Sequence, residues 1–346
     1  MLTIASDAHR AHVPHGAVLD AGTPVAAPEI PERAERIRAA IDASGLGPVR
    51  EPEVHGLDPV LRVHTRDYVE FLERIYGEWI AATGAAPGSE ATGYARPIRG
   101  DAVSTANLMH PIAKLGWYSH DTDPILPGTW SAASAAVDIA LTAGDALRSA
   151  GRGGAYALCR PPGHHAASDS LAGYCYLNNA AIAARAFADA GARVAVLDVD
   201  FHHGNGTQAI FSDDPDVFFA SLHADPADDY PYLSGFAHER GTGAGEGTTL
   251  NLPLPAGTEW SAYAEALTIA RSGIRGFGAD MVVVSLGVDT AAEDADSFRL
   301  TGDDFSRLGG AIASLGLPTL FVQEGGYCLE VIGRNVVNVL AAFEGA

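Results

Sequence analysis

The chain has 346 residues, 47% of them hydrophobic and 19% charged, which excludes a disordered chain and supplies a core. Its 22 Lys and Arg face 43 Asp and Glu, and the net charge of −21 argues against nucleic acid as a partner, because phosphates would be approached against the protein's own field. The 3 scattered cysteines, a start without a basic n-region and the lack of any apolar run near ~18 residues point to a cytoplasmic protein with no disulfide framework and no membrane partner.

Taken in chain order, apolar spacing predicts helices over 32–43, 67–83, 131–150, 177–190, 260–275, 303–314 and 333–343. In 67–83, Tyr68, Phe71, Leu72, Ile75, Trp79 and Ile80 share a face, with Thr65 as N-cap. Residues 84–128 are rich in Gly and Pro and have no clean period. A segment this long reads as a functional loop or lid, with a disordered insertion as the alternative. Leu108, Met109, Ile112, Leu115, Trp117 and Tyr118 are its expected apolar anchors. Short Val-, Leu- and Phe-rich runs lie at Ala155–Cys159, Val194–Val199, Val217–Leu222, Met281–Leu286 and Thr319–Val322. Strands of this kind, alternating with helices, predict an α/β fold with a parallel sheet covered on both faces.

The chemistry lies at the carboxyl end of each run. The runs end in Arg160-Pro161-Pro162-Gly163-His164-His165, in Asp198-Val199-Asp200-Phe201-His202, at His223, in Gly287-Val288-Asp289 and in Glu324-Gly325-Gly326-Tyr327. Ligands bind at the carboxyl ends of strands in such sheets. Period-two alternation places Asp198, Asp200 and His202 on one side and Val199, Phe201 and His203 on the other. Clustered carboxylates repel, and burying them is costly without a cation. Asp289 adds another carboxylate. Three ligands from this set suit Zn²⁺ with an open position, and the oxygen-rich donors also fit Fe²⁺. Structural carboxylates with a helix cap are the alternative. Tandem His164 and His165 suit proton transfer. Gly325-Gly326 permits a tight turn presenting Tyr327, whose hydroxyl can stabilise an oxyanion.

Together RPPGHHA (160–166), GYCYLNN (173–179), LDVDFHHGNGTQ (197–208), ASLH (220–223), SLGVDT (285–290) and EGGY (324–327) resemble the histone deacetylase and acetylpolyamine amidohydrolase superfamily. The bacterial acetylpolyamine amidohydrolases share DVDFHHGNGTQ, an insertion like 84–128 and PGTW after it, here 127–130. The resemblance implies an arginase–deacetylase fold: an open, mostly parallel eight-stranded sheet sandwiched between helices. It implies one Zn²⁺ on Asp200, His202 and Asp289, with Asp198 behind His164 and Asn205 behind His165. It further implies a substrate tunnel walled by Tyr174 and Tyr230 beside Gly173, and K⁺ on the backbone carbonyls of Asp198, Asp200, His202, Ser221 and Leu222.

The expected activity is zinc-dependent hydrolysis of a small N-acylated amine, an acetylpolyamine or related metabolite. Protein acetyl-lysine and a specialised metabolite are the alternative substrates. The resemblance also implies a homodimer through 84–128 and a carboxylate there for a distal ammonium. Asp101, Asp121 and Asp123 lie in that segment, but none aligns with the family's glutamate without a gap. Length alone suggests about two domains. Motifs from 160 to 327 converging on one ion argue instead for one catalytic domain over 1–346.

Overall fold

The computed structural model describes residues 1–20, 23–93, 108–294 and 297–346. Asp101 lies outside the described residues. Eight strands form one sheet: β1 (Leu2–Ile4), β4 (Val49–Arg50), β5 (Gly154–Ala157), β6 (Val194–Asp198), β7 (Val217–Ala224), β8 (Thr249–Leu254), β9 (Met281–Leu286) and β10 (Thr319–Gln323). Their spatial order is β4-β1-β5-β10-β9-β6-β7-β8, and every pairing is parallel. A separate antiparallel hairpin joins β2 (Ala17–Asp20) to β3 (Thr23–Ala26). The sheet is thus the expected eight-stranded α/β sheet, and wholly parallel.

Alternation along each strand explains why the runs look uniformly apolar. Val194 and Val196 enter one core cluster, while Ala195 and Leu197 enter the other. Leu320 and Val322 divide from Phe321 in the same way. The first cluster is covered by α2 (Arg66–Thr83), α4 (Thr129–Ala150) and α5 (Asn179–Asp189). The second is covered by α1 (Pro31–Ser44), α7 (Trp260–Phe277), α8 (Gly302–Ala313) and α9 (Ile332–Glu344). Among the described residues, no helix is long and apolar enough to cross a membrane.

Several local expectations change. The strand expected over 155–159 ends at Ala157. β1, β4 and β8 carry too short or too mixed a pattern to read. α2 starts where expected, but the Thr65 side chain caps nothing; its amide donates instead to the Ser168 carbonyl. α5 starts at Asn179 because the Asn178 side chain accepts from the Ala181 amide. The described parts of 84–128 are not irregular throughout. They contain α3 (Pro111–Trp117), and Ala91 bridges to Ile125. Leu115 and Tyr118 are buried there, but Met109 is 82% exposed and anchors nothing. A further short helix, α6 (Asn205–Phe211), comes after the HHG turn.

Candidate active site

Four adjacent central strands, β5, β10, β9 and β6, end at one edge of the sheet. The chain leaving them supplies His164 and His165, Glu324–Tyr327, Asp289, and Asp198–His202. Asp200, His202 and Asp289 meet there, with one ligand atom of each within 4.8 Å of the others. His202 Nδ1 lies 3.4 Å from Asp200 Oδ1 and 3.5 Å from Asp289 Oδ2.

The expected strand alternation reaches this geometry by another route. β6 stops at Asp198, so no ladder carries the pattern to His202. Asp198 Oδ1 accepts from the Asp200 amide at 3.1 Å, and Asp200 Oδ1 from the His202 amide at 2.9 Å. Each acid therefore bonds the backbone two residues on, a turn that short acidic side chains favour. Val199 and Phe201 still enter the core.

The triad fits a divalent cation. Asp200 Oδ2 accepts from the Gly325 amide at 2.8 Å, and Asp289 Oδ1 from the Phe201 amide at 2.9 Å. Asp289 Oδ2 is buried and accepts nothing. Burial and then the charge of Asp200 push the Asp289 carboxyl up to about 7, a penalty a cation would relieve. Gly287 and Gly325 keep the space open. A Cβ on them would lie 2.1 Å from Asp200 Oδ2 and 2.2 Å from Asp289 Oδ2, respectively. Only the His202 side is open: its side chain is 26% exposed, those of the two acids 1% and 3%.

The tandem histidines have different partners. His164 Nδ1 lies 3.0 Å from Asp198 Oδ2, and its Nε2 lies 3.7 Å from Asp200 Oδ1. Burial opposes charge on His164, but Asp200 and Asp198 outweigh it and raise its pKa to about 10. His165 Nδ1 lies 2.7 Å from the neutral Asn205 Oδ1. Burial, together with the charges of His164 and His202, holds His165 well below the usual histidine range. Two rings only 4.0 Å apart thus carry opposite protonation preferences.

Tyr327 is held from both ends. Its amide and that of Cys328 donate to Asp294 Oδ1 at 3.0 and 2.7 Å. The Arg33 guanidinium sits 4.7 Å from the ring centroid. Burial raises the phenol well above its ordinary pKa, so the hydroxyl keeps its proton and can donate it to a hydrogen bond. Tyr174 stands edge-on to Tyr327, and Tyr230 edge-on to both His165 and His202. Gly173 packs against His165. Ser221 and Leu222 are buried on β7, where Ser221 pairs with Asp198 across the β6–β7 ladder.

Sequence reasoning misses the supports beneath the site. Glu324 belongs to the EGGY motif, yet its spacing suggests no role for it. Its Oε2 accepts from the Gly163 and His164 amides, and its Oε1 from Ser285. Glu29 pairs with both Arg33 and Arg160 at 2.8 Å. Arg33 in turn donates to the Glu324 and Gly326 carbonyls. Glu29 and Arg33 are an ordinary i, i+4 pair in sequence, and nothing local marks them. Asp121 and Asp123 do reach the site, bonding the amides of Gly173 and Tyr174.

Residues 27–343 match the family model of the histone deacetylase domain. The chain is 48% identical to acetylpolyamine amidohydrolase 1 of Pseudomonas aeruginosa, over 100% of this chain and 99% of that one. It is 47% identical to the acetylpolyamine amidohydrolase of Mycoplana ramosa, over 92% of each chain. The crystal structure of acetylpolyamine aminohydrolase from Burkholderia pseudomallei superposes with a TM-score of 0.92 at 41% identity, covering 99% of this chain and 98% of that one.

Proposed function

Because the chain belongs to the histone deacetylase family and is a hydrolytic deacetylase, we propose that it cleaves the acetyl amide of a small amine, an acetylpolyamine foremost. The carrying observation is the Asp200–His202–Asp289 triad, its two acids buried, beside two histidines of opposite protonation preference. A divalent cation, Zn²⁺ before Fe²⁺, would be held by those three residues and would supply Lewis acidity to the acyl carbonyl and to the attacking water.

The chain's own groups do the rest. His165 is the free base; its Nδ1 is tied to Asn205, so its Nε2 accepts the proton from water. A C–O bond forms at the acyl carbon, the C–N bond breaks, and His165 returns the proton to the departing nitrogen. His164, held by Asp198, stays cationic and stabilises the negative charge that develops. The Tyr327 hydroxyl donates to the same developing oxyanion. Tyr174, Tyr230 and Gly173 line the approach and favour a slim chain. The carbonyls of Asp198, Asp200, His202, Ser221 and Leu222 are the proposed K⁺ ligands. We read residues 1–346 as one catalytic domain, since strands from Leu2–Ile4 to Thr319–Gln323 share one sheet. We also propose a homodimer through 84–128, with neither nucleic acid nor membrane as partner, and a cytoplasmic location.

The test is a turnover panel on protein reconstituted with a single defined metal. N-acetylputrescine and acetylspermidine are expected to exceed an acetyl-lysine peptide in kcat/KM. A peptide hydrolysed faster than every acetylated amine would overturn the substrate assignment and leave the deacetylase chemistry in place.

A further inference from the structure

Two tyrosines flank the approach to the triad, and one short segment holds both. The Tyr174 ring meets Tyr327 at 6.2 Å and 70°. The Tyr230 ring meets His165 at 5.0 Å and 85°, and His202 at 6.0 Å and 77°. Tyr174 has φ 66°, a left-handed backbone that bulky residues seldom adopt. Gly173 before it has φ 53°, and a Cβ there would lie 2.2 Å from His165 Cδ2. A turn of this kind needs outside support.

Two acids provide it. The Gly173 amide donates to Asp121 Oδ2 and the Tyr174 amide to Asp123 Oδ2, each at 2.8 Å. Asp121 Oδ2 also accepts from the Tyr230 hydroxyl at 2.7 Å. One carboxylate oxygen therefore joins the backbone beneath the first tyrosine to the tip of the second. Chain positions more than 50 residues apart on either side are fixed relative to each other by that atom.

We propose that Asp121 and Tyr230 form a latch that sets the width of the approach and selects unbranched chains. Asp121 is here a positioning residue: it fixes two walls. The proposal rests on the reading that the site admits slim amines. A phenylalanine at 230 keeps the ring and cuts the tie, so the wall is freed without being removed. Branched chains then gain access that the tied ring denies.

The test is binding, read by calorimetry on the metal-loaded protein. The probes are a straight-chain alkyl hydroxamate and its isomer branched near the head group. The unaltered protein is expected to prefer the straight chain at least tenfold in Kd. Tyr230→Phe and Asp121→Ala should each cut that preference at least fivefold. The double variant should go no further than Asp121→Ala alone, because that change already removes the Tyr230 bond together with the Gly173 one. An unchanged preference in a Tyr230→Phe protein of normal melting temperature overturns the latch, as does a fully additive double variant. If Asp121→Ala does not fold, Tyr230→Phe carries the test alone. Binding is read without turnover, so failure to hydrolyse any acetylated amine would sink the proposed substrate and leave the latch result standing.

Discussion

At the scale of single residues, the site works by giving similar groups different surroundings. His164 and His165 are neighbours in sequence, yet one faces Asp198 and the other Asn205. Tyr327 keeps its proton because it is buried. Tyr327→Phe is therefore expected to lower kcat by about 10²–10³, the usual loss on removing one oxyanion donor. His165→Ala should fall at least as far, since the free base is gone. Both should keep a cooperative melt near the unaltered Tm, and near-normal turnover in either would reassign the role. A histidine outside the reacting set has a different consequence. His64 is fully buried, accepts from the Asn178 amide, and is lowered to about 4 by burial. The unfolded chain, with its histidines near 6.5, binds this proton first. The stabilising contribution of His64 is thus complete above pH 6.5 and lost as pH falls towards 4. His64→Gln can retain the acceptor but not the titration. The unfolding free energy from urea melts should then fall less steeply between pH 7 and 4.5, by about 1–3 kcal/mol over the interval. Parallel curves for the two proteins would contradict this.

At the scale of elements, strand ends do the positioning, and the turns after them set the precision. β6 is fully buried and delivers Asp198; hydrogen bonds within the next turn then aim Asp200 and His202. The 324–327 turn crosses directly over the acids, and only a glycine fits at 325. Gly325→Ala would drive a Cβ to 2.2 Å from Asp289 Oδ2 and 2.6 Å from Asp200 Oδ2. Metal affinity, measured by competition with a chelator, is expected to drop roughly 10–100-fold, as for other changes beside ligands. Unchanged metal affinity would show that the acids do not hold the ion in this arrangement. These elements also show what can be read from sequence. The five apolar runs are legible because both faces are buried, which leaves continuous Val and Leu. β1, β4 and β8 are not, being short or half-covered. The strand-end residues are legible because Asp, His and Tyr are rare closures for such runs. Glu29, Arg33 and Asp294 are not, because their meaning lies in where the chain returns: Arg33 sits beneath Tyr327, 294 positions away. Asp121 lies in a segment with no period to frame it, and its partner Tyr230 is 109 residues on.

At the scale of the molecule, the sheet order makes the site one object. β5, β10, β9 and β6 are neighbours in space though dispersed in sequence, so residues from 160 to 327 converge on one edge. That edge lies in a protein of net charge −21, with 43 acidic residues against 22 Lys and Arg. Net charge of this size favours solubility. Part of it acts on encounter if the substrate is cationic, because a field of one sign raises the local concentration of the opposite ion and the association rate with it. Salt separates the two uses, since the Debye length shrinks from about 14 Å to about 4 Å between roughly 50 and 500 mM. Over that range kcat/KM for acetylspermidine is expected to fall by roughly tenfold, within the span of steered association rates. N-acetylbutylamine, which carries no charge, should change by less than about twofold, because there is no attraction to screen. The comparison must be made on kcat/KM rather than kcat, as steering acts on the free enzyme and free substrate. Equal salt dependence for the two substrates would assign the acidic surface to solubility alone, whatever the site itself can hydrolyse.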